Sequence, residues 1–285
     1  MIPAPFDYVR PTTVDEALAA VAAGGEDVKI MAGGQSLIPV MRLRLAAPET
    51  VVDLGGIAEL KGVREEGDHL VIGAMTTHAE VIADPLIAQY ARLLAEATET
   101  VADRQTRRRG TFGGALAHAD PAGDLAAVAL ALDAEMVVAG PSGRRTVPAS
   151  EFFVDYLTTS LDEGEILVEI RVPKLAGDWG VRYEKFNRVA QAWSIVAIAA
   201  AVRREDGHIA EARIGLTNMG PTPLRASATE AALAGAPATA DAIAAAARSA
   251  AEGTSPSSDL NAQADYREHL AQVLTRRAVS AAAGL

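Results

Sequence analysis

Residues Thr111 to Asp124 read TFGGALAHADPAGD: two adjacent glycines, a run of small residues, one histidine and two aspartates. About eighty residues upstream, MAGGQSLIPV (Met31 to Val40) carries a second glycine pair, reached directly from the strand-like run VKIM. Neither stretch contains a lysine. Glycine has no Cβ, so its backbone approaches a ligand closely and adopts positive φ. Consecutive backbone N–H groups in such loops form anion-binding concavities. Ser36 and Thr111 add hydroxyl donors, a combination that suits a pyrophosphate. Either pair alone reads equally well as an ordinary turn, as Gly24-Gly25 and Gly55-Gly56 do. Taken together, they are expected to form two halves of one dinucleotide cradle.

The common nucleotide fingerprints are missing. No two glycines are separated by a single residue, so G-x-G-x-x-G does not occur, and G-x-x-x-x-G-K-[ST] is absent as well. A nucleotide site here needs a fold other than the doubly wound one. Ser36 fails the G-x-S-x-G elbow because position 38 is Ile. His78, His118 and His208 lack the spacing of a paired metal motif. On residues alone, His118 with Asp120 and Asp124 leaves a metal site open. The simpler reading makes Asp124 the cap of a helix beginning at Leu125 and places His118 at a surface or beside a ligand. Lys185, in a strand-like run, reads equally as an exposed sheet lysine or a site residue.

The chain has 285 residues, enough for two domains, and 49% of them are hydrophobic. Its formal net charge of −11 argues against nucleic-acid binding, which needs basic surface. The run Arg104, Arg107, Arg108 and Arg109 is a local exception. With no cysteine, the chain has no thiolate ligands for an iron–sulfur cluster, no disulfide and no Cys nucleophile. MIPAPFDYVRP has no apolar h-region, and a soluble cytoplasmic protein is expected.

Thr13-Val14-Asp15-Glu16 reads as a capping box opening a helix that Gly24-Gly25 ends. VKIM and TVVDL read as strands, GVREEGDHLVIGA as a hairpin, and Thr77 as the start of a helix. IAQYARLLAEATETVA reads as one amphipathic helix. DLAAVALALDAEMVVAG reads as a helix leading into a strand, and EILVEIRVP as a strand ending at Pro173. LAGDWG (Leu175 to Gly180) is the candidate domain boundary. Beyond it, 182–220 is expected to alternate strand and helix, with REDGHI as a hairpin turn. Ala226–Glu252 and Asp265–Ala283 read as two alanine-rich helical patterns. The fold class is α+β.

Four stretches then carry a family resemblance: AGGQSLIPVMRLRLAAPETVVDL, VADRQTRRRGTFGGALAHADPAGDLAAVALAL, GEILVEIRVP and GLTNMGPTPLRA. They resemble the medium, FAD-binding subunit of molybdenum hydroxylases, with the aerobic carbon monoxide dehydrogenase branch the nearest. The resemblance runs from FDYVRP to YREHLAQVLTRRAV. It implies a vanillyl-alcohol-oxidase-like FAD-binding domain over 1–176, built of two α+β subdomains (about 1–57 and 58–176). It also implies a C-terminal domain over 177–285 with a three-stranded antiparallel sheet and a helical bundle. FAD would lie between the subdomains, each supplying one lip. Ala32, Gly33, Gly34, Gln35, Ser36 and Leu37 would form the first loop, and Thr111, Gly113, Gly114 and Ala115 the second. Asp124 would meet the ribose or adenine side, Leu167 and Lys185 would make further flavin contacts, and Trp193 would sit beside the isoalloxazine. Ala115, Gln35 and Ala192 stand where relatives carry Asn, His and Asp.

The resemblance also implies partners: a large subunit with a molybdenum cofactor and a small subunit with two [2Fe–2S] clusters, in a dimer of heterotrimers. The external acceptor would be a quinone, NAD or O₂. The alternatives are the flavoprotein subunit of a xanthine, aldehyde or nicotine-type dehydrogenase, a stand-alone FAD reductase, or a module that has lost its flavin. No catalytic acid/base dyad and no metal ligands are expected on this chain, and membrane association would come only through the complex.

Overall fold

The computed structural model describes residues 1–175 and 177–285. The candidate boundary at residue 176 therefore lies outside the described residues.

Three parallel strands begin the fold, in the order Asp7–Val9, Thr50–Asp53, Val28–Met31. The helix Val14–Gly24 starts where the Thr13 hydroxyl accepts from the Glu16 amide, and it stops at Gly25, whose φ is 58°. Glu16 itself reaches back to Thr12 rather than Thr13, so the box is displaced by one residue. Val14, Ala17 and Val21 pack with Val52 and Leu54. This small unit delivers Val28–Met31 into the first glycine pair.

A five-stranded antiparallel sheet follows, ordered Val63–Glu66, His69–Gly73, Ile166–Pro173, Glu135–Gly140, Gly143–Pro148. Its helices include His78–Ala83, closed by a full Thr77/Glu80 capping box, and the short Phe112–His118, capped by Thr111. The amphipathic stretch from Ile87 is two helices rather than one. Pro85–Tyr90 and Arg92–Glu99 break at Ala91, which leaves helical geometry (φ −138°, ψ 42°) while its side chain is fully buried. Packing sets that break, because neither Gly nor Pro marks it.

The C-terminal half holds three long antiparallel strands, Trp179–Phe186, Val196–Glu205 and His208–Thr217, with two-residue Leu224–Arg225 added at the edge. The expected alternation with helix does not occur between 179 and 218. SIVAIAAAV, helix-like by alanine content, is the central strand, buried on both faces. Cross-strand pairing and burial override its helix propensity. Asp206 and Gly207, both at positive φ, make the hairpin turn. The Ala226–Glu252 pattern also divides into two helices, Ser227–Leu233 and Ala240–Ala246, with Gly235 at φ 75° between them. Ala264–Ala282 is one helix, and it packs on this sheet.

Candidate functional site

A cleft of about 950 Å³ opens where the two glycine loops meet the C-terminal half. That volume lies at the upper end of the usual range for cofactor sites. All fourteen sequence-predicted site residues line it: Ala32, Gly33, Gly34, Gln35, Ser36 and Leu37; Thr111, Gly113, Gly114 and Ala115; Asp124, Leu167, Lys185 and Trp193.

The two loops are not equivalent lips. Among the described residues, the backbone N–H groups of Gly33, Gly34, Gln35 and Ser36 meet no protein acceptor, although the Gln35 side chain folds back onto the Gly33 carbonyl at 3.0 Å. In the second loop the amides from Phe112 to Ala115 are all used. Phe112 and Gly113 donate to the carbonyls of Thr76 and Ala74. Ala115 donates to the Thr111 carbonyl and Gly114 to the Thr111 hydroxyl. The first loop can therefore receive an anion through its amides, whereas the second supplies a rigid wall and a hydroxyl.

The glycines also have a purpose the sequence did not reveal. A Cβ on Gly33 would stand 2.1 Å from the Arg109 carbonyl oxygen, and one on Gly114 would stand 3.0 Å from Ala32 Cβ. Gly33 lets the first loop lie against the backbone that leads into the second.

Asp124 is not the cap that residue-level reading made it. Gly123 holds that position and Asp124 begins the helix Asp124–Ala131. Its buried carboxylate crosses to the C-terminal half, accepting from Tyr183 (2.7 Å), Ser194 (2.6 Å) and Lys185 (2.8 Å). Burial and the adjacent Asp124 charge hold the Tyr183 phenol well above its ordinary pKa, so it remains a donor. Lys185 also donates to the Thr100 carbonyl, which leaves one ammonium proton uncommitted.

Leu167 is buried beside a register shift in its strand, an irregularity of the kind that re-aims side chains at sites. Trp193 is 56% exposed at the cleft mouth. Beside it, Gln191 bridges to Asp103 at 3.2 Å. His118 and Asp120 also line the cleft, 4.0 Å apart, and among the described residues no three His, Asp or Glu side chains are grouped to hold a metal.

Sequence reasoning weighed His78 only as a metal ligand and passed over Tyr183 and Ser194. Tyr183 was legible, since it stands two residues from Lys185 on one strand and so shares its face. His78 lines the cleft at 4% exposure, with its backbone N–H on the Gly110 carbonyl. Its ring Nδ1 is buried without a partner. Burial, reinforced by Arg107, lowers its pKa to about 4, so the imidazole is neutral at pH 7. Its only sequence cue was its place directly after the Thr77 cap.

Free loop amides, a Lys–Asp pair, an unpartnered imidazole nitrogen and apolar walls fit an FAD: a pyrophosphate at the first loop, and polar rings and ribose along the remainder. Comparison with known proteins gives the family. The family profile described as the FAD binding domain in molybdopterin dehydrogenase matches residues 4–175, and the CO dehydrogenase flavoprotein C-terminal domain matches 181–282. The chain is 43% identical to the carbon monoxide dehydrogenase medium chain of Hydrogenophaga pseudoflava, covering 99% of this chain and 98% of that one. It is 36% identical to the nicotine 6-hydroxylase medium subunit of Paenarthrobacter nicotinovorans, over 95% of each. It superposes on reconstituted CO dehydrogenase from Oligotropha carboxidovorans with a TM-score of 0.97 at 39% identity, covering 100% of this chain and 99% of that one. The chain belongs to the family of FAD-binding medium subunits of molybdenum hydroxylases.

Proposed function

We propose that this chain holds FAD in the cleft, takes electrons from [2Fe–2S] clusters on a small partner subunit, and passes them to an external acceptor. The preferred complex is an aerobic carbon monoxide dehydrogenase, assembled with a large molybdenum subunit as a dimer of heterotrimers. The observation that carries the reading is the first loop's four unsatisfied amides opposite the Asp124–Lys185 pair in one cleft. Bound FAD supplies the redox chemistry, accepting electrons singly or in pairs. The chain's own residues bind and orient it. Gly33 to Ser36 hold the pyrophosphate, Thr111 adds a hydroxyl, and Leu167 and Trp193 wall the rings. Lys185 places a fixed positive charge beside the cofactor. The flavin-binding unit is assigned to 1–176 and the C-terminal unit to 177–285; the C-terminal unit has a core of its own around Ile214 and Leu274, while Val181, Tyr183 and Ala197 of its sheet join the core of the first unit.

The total absence of cysteine fits a subunit whose iron–sulfur clusters lie elsewhere. No helix among the described residues is long and apolar enough to cross a membrane. A second reading, a heterocycle dehydrogenase, draws on the nicotine 6-hydroxylase subunit and on a caffeine dehydrogenase subunit of Pseudomonas that is 38% identical. Substrate chemistry on a partner chain separates the two.

The test is the absorption spectrum of the purified complex, followed by heat release and identification of the flavin. FAD near one per chain is expected. A colourless complex that also refuses added FAD, with its partner subunits present, overturns the reading.

A further inference from the structure

The segment GLTNMGPTPLRA carries part of the family resemblance, yet none of its residues lines the cleft. One of them nevertheless reaches both halves of the site. Asn218 follows the strand His208–Thr217, whose pairing with Val196–Glu205 ends at Thr217 and Ala197. Its φ is 63°, a left-handed conformation that Asn tolerates better than most side chains. The turn separates its donors. The backbone N–H donates to the Pro121 carbonyl at 2.8 Å. The side-chain amide donates to the carbonyls of Ser194 at 2.8 Å and Ile195 at 3.3 Å. Both ends of this reach belong to the cleft. Pro121 lies between Asp120 and Gly123, which line it, and Gly123 caps the helix that begins at Asp124. Ser194 donates its hydroxyl to the Asp124 carboxylate at 2.6 Å and directly follows Trp193 at the cleft mouth. The contacts close a ring: from Asn218 to Pro121, along the chain to Asp124, across to Ser194, and back to Asn218.

We propose that Asn218 is a positioning residue for the bound cofactor; the proposal rests on the function given above. Asn218 stands outside the cleft and acts through Ser194. Its two acceptors differ in how far they depend on it. Ile195 also donates its N–H to the Phe186 carbonyl, and its own carbonyl receives the buried Arg267 guanidinium. Among the described residues, the Ser194 carbonyl has Asn218 as its sole donor. The Ser194 peptide in turn sets two groups of the site. Its hydroxyl shares Asp124 Oδ1 with Tyr183, while Lys185 takes Oδ2. Its backbone anchors Trp193, whose side chain is 56% exposed. Groups that meet a ligand keep their geometry only when their own partners hold them. The position also selects Asn. Asp has the same shape but would turn a carboxylate on two carbonyl oxygens, and Ala would lose the donor and strain the left-handed backbone.

The test uses the full-length chain carrying Trp179→Phe, which leaves Trp193 as the sole tryptophan. Three quantities are read: Trp193 fluorescence anisotropy, FAD affinity by flavin-fluorescence titration, and Tm. Asn218→Gly keeps the left-handed backbone and its N–H while deleting the side-chain donor. It is expected to loosen Trp193, seen as a fall in anisotropy, and to weaken FAD about tenfold, with a Tm loss of no more than about 5 °C. Asn218→Asp should weaken FAD further than Asn218→Gly. Thr229→Ala is the comparison. It removes a hydroxyl paired with Ser249 at 3.1 Å in the same unit, away from the cleft. It should lower Tm to a similar degree and leave Trp193 and FAD affinity at the parental values. Parental anisotropy and FAD affinity in Asn218→Gly overturn the proposal. So does a Thr229→Ala variant that shifts both readouts as far as Asn218→Gly, because the role of Asn218 would then be stability alone. A parental chain that takes up no FAD, even with its partner subunits, overturns the underlying function instead.

Discussion

Asp124 and Lys185 form an ion pair at 2.8 Å with side-chain exposures of only 4% and 6%, one on the flavin-binding half and the other on the C-terminal sheet. A buried pair adds little against an apolar replacement, but removing one partner leaves an uncompensated charge. Lys185→Met is therefore expected to cost about 3–5 kcal/mol, read by urea unfolding of the purified chain. Tyr183 and Ser194 would remain as the carboxylate's only side-chain donors. Adding Asp124→Asn should recover part of the loss, because the two sites share one network. Unfolding of Lys185→Met at the wild-type midpoint would show that the pair does not tie the halves together.

Gly33→Ala tests the loop contact. Its Cβ would need to push away the Arg109 carbonyl, 2.1 Å off, and that carbonyl is backbone with little freedom to yield. Roughly tenfold or greater loss of FAD affinity, together with a lower Tm, is expected. Ser36→Ala removes only a hydroxyl at the same loop, so it should weaken FAD with Tm unchanged. Flavin-fluorescence titration beside thermal melts separates the two. Equal behaviour of both variants would mean that the close approach of the loops is dispensable.

The two glycine loops were legible in sequence because their composition departs so far from that of a core. The reason for Gly33 was not, since Arg109 is distant in sequence and no local pattern records a backbone contact. Asp124 shows the same limit. Its position before an apolar run looks like a helix cap, yet its partners Tyr183, Ser194 and Lys185 are 59 to 70 residues away. The alternation of strand and helix expected over 182–220 failed for a different reason: alanine in that stretch favours helix locally, while its neighbours in the sheet decide its state. Chain order and hairpins such as REDGHI were readable because turn chemistry is local.

His78 gives the fold a pH dependence. Its folded pKa, about 4, lies below the 6.5 of an unfolded histidine, so between those values the unfolded chain binds more protons. The stability from burying the neutral ring is complete above pH 6.5 and is lost as pH falls toward 4. The loss is about 3 kcal/mol over that window. His78→Leu should flatten this part of the curve, measured as urea midpoints from pH 7 to 4. An unchanged slope in the variant would place the proton uptake elsewhere.

Gly215 tests how the halves are held. It lies on the strand His208–Thr217, where a Cβ would stand 2.1 Å from the carbonyl oxygen of Ala127 on the helix Asp124–Ala131. The strand and helix backbones touch there, so Gly215→Ala must move the helix that begins at Asp124. A destabilisation of about 1–3 kcal/mol is expected from overpacking, together with weaker FAD binding as Asp124 is drawn away from Tyr183, Ser194 and Lys185. Gly220→Ala is the comparison. Its Cβ would meet the flexible end of Leu224 at 3.1 Å, which can yield. If Gly215→Ala lowers Tm while FAD affinity stays at the wild-type value, the helix is a support for the fold and does not transmit strain to the cleft.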